Sequence, residues 1–135
     1  MSTLSLFTSI LALPTSNTAI AKQSCYTTCG TTCYSQSTVT NALNEGYDDY
    51  TNGNTPHGYP HTYYDRDGFD LLVDGPYLEF PIMHSYRIYQ GGPPGPDRVV
   101  FNTVGEYAGT ITHTGAVGNE FVQCSSGTNA TRSGQ

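Results

Sequence analysis

Apolar and polar positions alternate on two different periods along the chain. From Ser35 to Tyr50, Val39, Ala42, Leu43, Tyr47 and Tyr50 recur at helical spacing and fall on one face. Ser35 is a suitable N-cap and Asn52-Gly53 a suitable stop, so one helix is predicted there. Gly53 to Gly58 is turn-rich and reads as a loop. Beyond it the period shortens. Tyr59–His61, Leu78–Ile82, Val99–Asn102, Gly109–Thr112 and Phe121–Cys124 read as short strands separated by Gly, Pro and Asp. Gly91 to Asp97 is an inflexible turn segment between two of them. One helix packed on a small twisted antiparallel sheet is an α+β domain. Fifteen glycines, eight prolines and eleven tyrosines suit such a tight-turned sheet, and no internal repeat is present.

The ends of the chain follow another pattern. Leu4 to Leu13 is apolar and is followed by Ala19-Ile20-Ala21, which fits a small-residue cleavage site. Residues 1–21 are therefore expected to be a secretory signal peptide, although no Lys or Arg precedes the apolar run. Residues 22–124 form a single domain, and residues 125–135, small and polar, form a disordered tail. That tail carries the glycosylation sequon Asn129-Ala130-Thr131. No apolar run reaches the roughly 18 residues of a membrane-spanning helix.

Four cysteines, Cys25, Cys29, Cys33 and Cys124, lie in the expected mature chain. An even count in a small secreted domain points to two disulfides. Zinc is the rival, but three cysteines cluster, the fourth is remote, and no C-x-x-C pair exists. Three pairings are possible, and each ties Cys124 back to the N-terminal cluster. A loop of about 100 residues closed this way contributes about 4–5 kcal/mol in the chain-entropy model.

The formal net charge is −6, and removing residues 1–21 does not alter it. Without a basic stripe, tight sequence-independent binding to nucleic acid through many phosphates is excluded. Weak binding with turnover remains open if a few cations converge on one phosphate. No nucleophile elbow, zinc-protease helix, P-loop or dinucleotide fingerprint occurs. Chemistry must then come from dispersed residues: the histidines His57, His61, His84 and His113, the carboxylate Glu79, and Arg98. Taken singly, each has an ordinary explanation. A histidine is most often a surface or structural residue. Glu79, alternating with Leu78, Phe80 and Ile82, fits the solvated face of a half-buried strand. Arg98 fits a surface ion pair with Asp97 or another carboxylate.

Read together, the segments say more. Tyr59-Pro60-His61, Glu79-Phe80-Pro81, Pro96-Asp97-Arg98-Val99-Val100-Phe101, Thr112-His113-Thr114-Gly115-Ala116 and Gly118-Asn119-Glu120-Phe121-Val122-Gln123-Cys124 occur in that order. With the Cys-x3-Cys-x3-Cys start, this resembles the fungal guanyl-specific ribonucleases, the T-one and N-one type among microbial ribonucleases. The resemblance spans Cys25 to Cys124.

The resemblance implies a secreted endoribonuclease that cleaves single-stranded RNA after guanosine, without metal or other cofactor. In it Glu79 is the general base and His113 the general acid. Arg98 and Tyr59 bind the phosphate, cationic His61 supports Glu79 as a carboxylate, and Phe121 shields the phosphate from water. Tyr63 stacks on guanine, backbone groups of Tyr64 and Asp65 bind its edge, Asp67 accepts from its N1–H and amine, and the carbonyl of Asn119 contacts the amine. Arg66 stands where the family has an aromatic lid, and Asp67 where it has Glu. A purine-preferring enzyme with relaxed guanine specificity is therefore the nearest alternative. A non-catalytic RNA-binding effector and a ribosome-targeting toxin on the same scaffold are the others. The resemblance further implies the pairs Cys25–Cys33 and Cys29–Cys124 and cis bonds at Tyr59–Pro60 and Gly75–Pro76. RNA is the expected partner. DNA binding and membrane association are not expected, and the chain is expected to be a monomer.

Overall fold

Ser35 begins the one long helix because its hydroxyl accepts from the Thr38 N–H at 3.2 Å, satisfying an end that has no intrahelical partner. The computed structural model describes residues 24–127. In it α1 runs Gln36–Asn52 and ends at Gly53, whose φ of 71° is the left-handed conformation glycine supplies without strain. Val39, Ala42 and Leu43 are buried as the spacing predicts. Tyr50 is largely exposed, and Gly46 takes its place on the buried stripe. A Cβ at Gly46 would stand 2.8 Å from the ring of Phe80, so the missing side chain lets helix and sheet approach closely.

The strands in chain order are β1 (Thr27–Cys29), β2 (Thr32–Tyr34), β3 (His61–Tyr63), β4 (Tyr77–Ile82), β5 (Asp97–Asn102), β6 (Tyr107–Thr112), β7 (Val122–Gln123) and β8 (Ser125–Ser126). Strands β3 to β7 make a five-stranded antiparallel sheet in sequence order, and β2-β1-β8 make a second, smaller one. Alternation sorts the main sheet into two faces. Leu78, Phe80, Ile82, Val99 and Phe101 pack against Val39, Ala42 and Leu43 of α1. On the other face Val100, Ala108, Ile111 and Tyr63 form a second cluster beneath Phe69, Leu71, Val73, Tyr77 and Phe121. Because both faces are covered, β4 and β5 are buried along almost their whole length.

Several elements differ from the sequence expectation. Strand β3 starts at His61, not Tyr59, because Pro60 has no N–H to give a ladder. Strand β6 begins at Tyr107, and a register shift between Val100 and Phe101 breaks the simple alternation there. The hairpin of β1 and β2 is unforeseen: three-residue strands rich in Thr and Cys carry almost no periodic signal. Ser125 and Ser126, assigned to the tail, instead pair with β1. Edge pairing holds them, together with the nearby Cys29–Cys124 bridge. The expected signal peptide, residues 1–21, and the Asn129 sequon lie outside the described residues.

Both disulfides are formed, Cys25–Cys33 and Cys29–Cys124. The first closes the β1–β2 hairpin. The second, spanning 95 residues, ties that hairpin to the end of the main sheet. Both Tyr59–Pro60 and Gly75–Pro76 are cis. No helix of the described residues is long and apolar enough to cross a membrane.

Candidate active site

The face of the main sheet away from α1 gathers the predicted acid–base residues. Register places His61 opposite Glu79, and Arg98 stands on β5 opposite Pro81. Glu79 is only 3% exposed, so the solvated-face reading of this residue is overturned. Strand β4 is interior to the sheet and covered on both sides, and period-two alternation cannot reveal a second cover. The Glu79 Oε1 is hydrogen-bonded to Nε2 of His61 and lies 4.0 Å from Nε of Arg98. Its Oε2 is buried without a hydrogen-bond partner, as is Arg98 Nε. Burial pushes the Glu79 carboxyl above the ordinary carboxylate range, while the charges of His61, Arg98 and His113 pull it back down.

Arg98 is 2% exposed and is held from behind. Its Nη1 donates to the carbonyls of Gly95 at 2.7 Å and Asp97 at 2.9 Å, and its Nη2 to the Tyr59 hydroxyl at 3.1 Å. The guanidinium also sits 5.1 Å from the centre of the Tyr59 ring, which stacks on His61 at 4.6 Å. The ion pair expected of Arg98 is with Glu79 and buried, not with Asp97 and at the surface. Adjacent strand residues point to opposite faces, and the Asp97 carboxylate is buried on the helix side.

His113 follows the last residue of β6 and is partly exposed. Its Nδ1 donates to the Glu120 carbonyl at 2.7 Å, which leaves Nε2 for other work and fixes the ring's orientation. Phe121 stacks on the His113 ring at 3.9 Å and meets Tyr63 edge-on at 6.1 Å. Three rings thus connect His113 to the segment 63–67.

That segment borders a cleft of about 380 Å³. Tyr63, Tyr64, Asp65, Arg66 and Asp67 line it together with Asn119, Glu120 and Phe121, and His61 and Glu79 also border it. The loop is internally braced. Asp65, at φ 49°, accepts from the Phe69 N–H at 2.9 Å and from the Tyr63 hydroxyl at 3.3 Å. Its carbonyl accepts from the Gly68 N–H. Arg66 lies over the exposed Tyr64 ring at 5.6 Å. A second cleft, about 500 Å³, lies between the end of α1 and residues 89–90. Glu45 and Asp49 line it, so its charge opposes a phosphodiester.

The model of a ribonuclease family matches residues 22–125. The chain belongs to the ribonuclease family. This ribonuclease is 55% identical over 104 residues to guanyl-specific ribonuclease Ms of Aspergillus phoenicis, covering 77% of this chain and 99% of that one. It is 59% identical over 105 residues to guanyl-specific ribonuclease F1 of Fusarium fujikuroi, covering 76% and 79%. Among solved structures, ribonuclease He1 from Hericium erinaceus superposes with a TM-score of 0.57 at 30% identity, covering 76% of this chain and 98% of that one.

The structure of this ribonuclease therefore brings together Tyr59, His61, Glu79 and Arg98, with His113 stacked beside Phe121, and places Tyr63 to Asp67 and Asn119 in the adjoining cleft. His57 and His84, the other two histidines, stand outside both. Sequence reasoning missed the carbonyls of Gly95 and Glu120, which anchor Arg98 and His113. Backbone acceptors carry no residue-type signal. Among the described residues, no group of three or more His, Cys, Asp or Glu could hold a metal ion.

Proposed function

We propose that this ribonuclease is a secreted, guanyl-specific endoribonuclease acting on single-stranded RNA by acid–base catalysis. The observation that carries the reading is the pairing of a buried carboxylate, Glu79, with the buried cation Arg98, each keeping one buried polar atom without a hydrogen-bond partner. An unpaired buried polar atom is costly, and these two atoms are the ones the chemistry calls on.

The nucleophile of RNA cleavage is already part of the substrate, beside the phosphorus, so proximity is intrinsic. Glu79 accepts the proton of the ribose 2′-OH as that oxygen attacks phosphorus. His113 donates its Nε2 proton to the departing 5′-oxygen as the P–O bond breaks. Arg98 and the Tyr59 hydroxyl bind the non-bridging oxygens as negative charge develops on them. His61 in its cationic form holds Glu79 ionised. The product is a 2′,3′-cyclic phosphate. Water opens it to a 3′-phosphate with acid and base exchanging roles. DNA has no 2′-OH and is not a substrate.

Guanine fits the 63–67 cleft because N1–H and the exocyclic amine are donors to Asp67, whereas adenine presents an acceptor at N1. Tyr63 and Arg66 offer ring and guanidinium surfaces to the base. The two disulfides, together with the signal-like residues 1–21, favour an oxidising, extracellular location. Incubation with GpN, ApN, CpN and UpN dinucleotides, followed by chromatography, tests the reading. A cyclic phosphate from GpN, formed equally well in chelator, is expected. Binding of RNA without cleavage sinks it in favour of a silent RNA-binding protein.

A further inference from the structure

One buried cluster is not used by that chemistry. The Asp97 carboxylate is fully buried, on the helix side of the sheet. Its Oδ2 accepts from the Tyr34 hydroxyl at 2.5 Å and from Nε2 of His84 at 3.0 Å, and its Oδ1 from the Thr112 hydroxyl at 2.6 Å. The Thr112 oxygen in turn accepts from the Thr114 N–H at 3.0 Å. A carboxylate survives in a protein interior only when hydrogen-bonded, and such bonds are strong and directional. Here the donors come from β2, from the loop after β4, and from β6.

The position of this cluster is what matters. Asp97 and Thr112 face each other in register across β5 and β6. Each is the residue immediately before a member of the active site, Arg98 and His113. Alternation sends 97 and 112 to the helix side and Arg98 to the other face. The backbone reinforces the link, since the His113 N–H donates to the Pro96 carbonyl at 2.9 Å and Arg98 donates to the Asp97 carbonyl. The Asp97–Thr112 bridge therefore ties the start of β5 to the end of β6, where a ladder is most prone to fray.

We propose that Asp97 and Thr112 are positioning residues that set the separation of Arg98 and His113, with His84 and Tyr34 completing the carboxylate's shell. The inference rests on the catalytic roles proposed above. An apolar pair at 97 and 112 would hold the strands together by burial, which is non-directional. A short carboxylate–hydroxyl bond also fixes their register. Rates of phosphate displacement fall steeply when cation and proton donor shift by a fraction of an ångström.

The test compares Thr112→Val, which keeps the shape and removes the hydroxyl, with Thr112→Ser, which restores it. Leu43→Ala, on the buried face of α1, serves as a destabilised control. All are assayed well below their melting temperatures. Thr112→Val is expected to lower kcat on GpN at least fivefold with KM within twofold, and Thr112→Ser to recover kcat. Leu43→Ala should lower Tm comparably yet hold kcat within twofold. A smaller kcat loss in Thr112→Val, or an equal loss in Leu43→Ala, overturns the proposal. If Thr112→Val does not fold, His84→Ala decides, because that ring is 56% exposed and dispensable for packing. It should lower kcat at least threefold at constant KM, and an unchanged kcat overturns the proposal. The Arg98 Nε–H and His113 ring resonances give a reading independent of activity. They should shift in Thr112→Val, or in His84→Ala where Thr112→Val does not fold. Thr112→Ser should return them, and unmoved resonances overturn the proposal. Absence of GpN cleavage by the wild type would instead sink the parent reading and leave the resonances to decide this one.

Discussion

Glu79 lies buried directly across the β3–β4 ladder from His61 and accepts a hydrogen bond from its ring, while the guanidinium of Arg98 stands 4.0 Å away on the next strand. Burial acts on this carboxyl in one direction and the charges of His61, Arg98 and His113 in the other, and burial is the larger influence. The balance bears on both rate and stability.

For the rate, the proposed mechanism makes the ionised form of Glu79 the base, so the acid limb of the kcat/KM profile should lie above the ordinary carboxylate range. Glu79→Gln should lower kcat/KM on GpN about 10²-fold, at the lower end for a general base because His61 can substitute in part. It should also flatten the acid limb. A full-height acid limb at the wild-type position in Glu79→Gln would remove Glu79 from the base role.

The same carboxyl affects stability with a definite sign. Its folded pKa is raised, so the native state holds this proton more tightly than the unfolded chain does. Unfolding free energy then falls as pH rises from the ordinary Glu range to the raised folded value. Glu79→Gln has no such proton to lose. The melting temperature of wild type relative to Glu79→Gln should therefore drop across that window in a pH series of thermal melts. A constant difference would contradict the raised value.

In the proposed mechanism His113 is the sole donor to the leaving oxygen. His113→Ala should cost about 10³- to 10⁴-fold in kcat on GpN, a larger loss than at Glu79. It should also abolish the alkaline limb. Retention of most activity, measured by dinucleotide turnover, would lose the acid assignment.

In the proposed reading, specificity turns on Asp67, one methylene shorter than the Glu of the family pattern. Its reach to guanine N1–H and amine is reduced, so guanine should be preferred over adenine by a smaller ratio than a Glu provides. Asp67→Glu should raise the GpN-to-ApN ratio of kcat/KM severalfold, since a site that pairs its polar groups with one base leaves them unpaired with the other. A lowered ratio would mean that another group reads the base.

The Cys29–Cys124 bridge closes 95 residues and joins the N-terminal hairpin to β7 and β8. Replacing both cysteines by serine should destabilise the protein by about 4–5 kcal/mol in the chain-entropy model. Urea unfolding measures this. A loss below about 1 kcal/mol would show that the hairpin is held by its other contacts.

Much of this protein was legible before any coordinates. The 3.6 period from Val39 to Leu43, the Ser35 cap and the Gly53 stop define α1, because helix signals are local. The alternation of Leu78, Phe80 and Ile82 marks the helix-facing side of β4 for the same reason. The ordered set Tyr59, His61, Glu79, Arg98 and His113 pointed to one family and its chemistry. Three things were decided only by tertiary structure. Glu79 is buried because a second layer, including Phe69, Leu71 and Phe121, covers the face that alternation alone assigns to solvent. The two- and three-residue strands β1, β2 and β8 exist because disulfides and edge pairing hold segments too short to carry a period. Asp97 turns away from Arg98 to bind Tyr34, His84 and Thr112, partners 63, 13 and 15 residues distant in sequence. Contacts at such separations depend on how the strands are ordered in the sheet, and no local pattern of residues encodes that order.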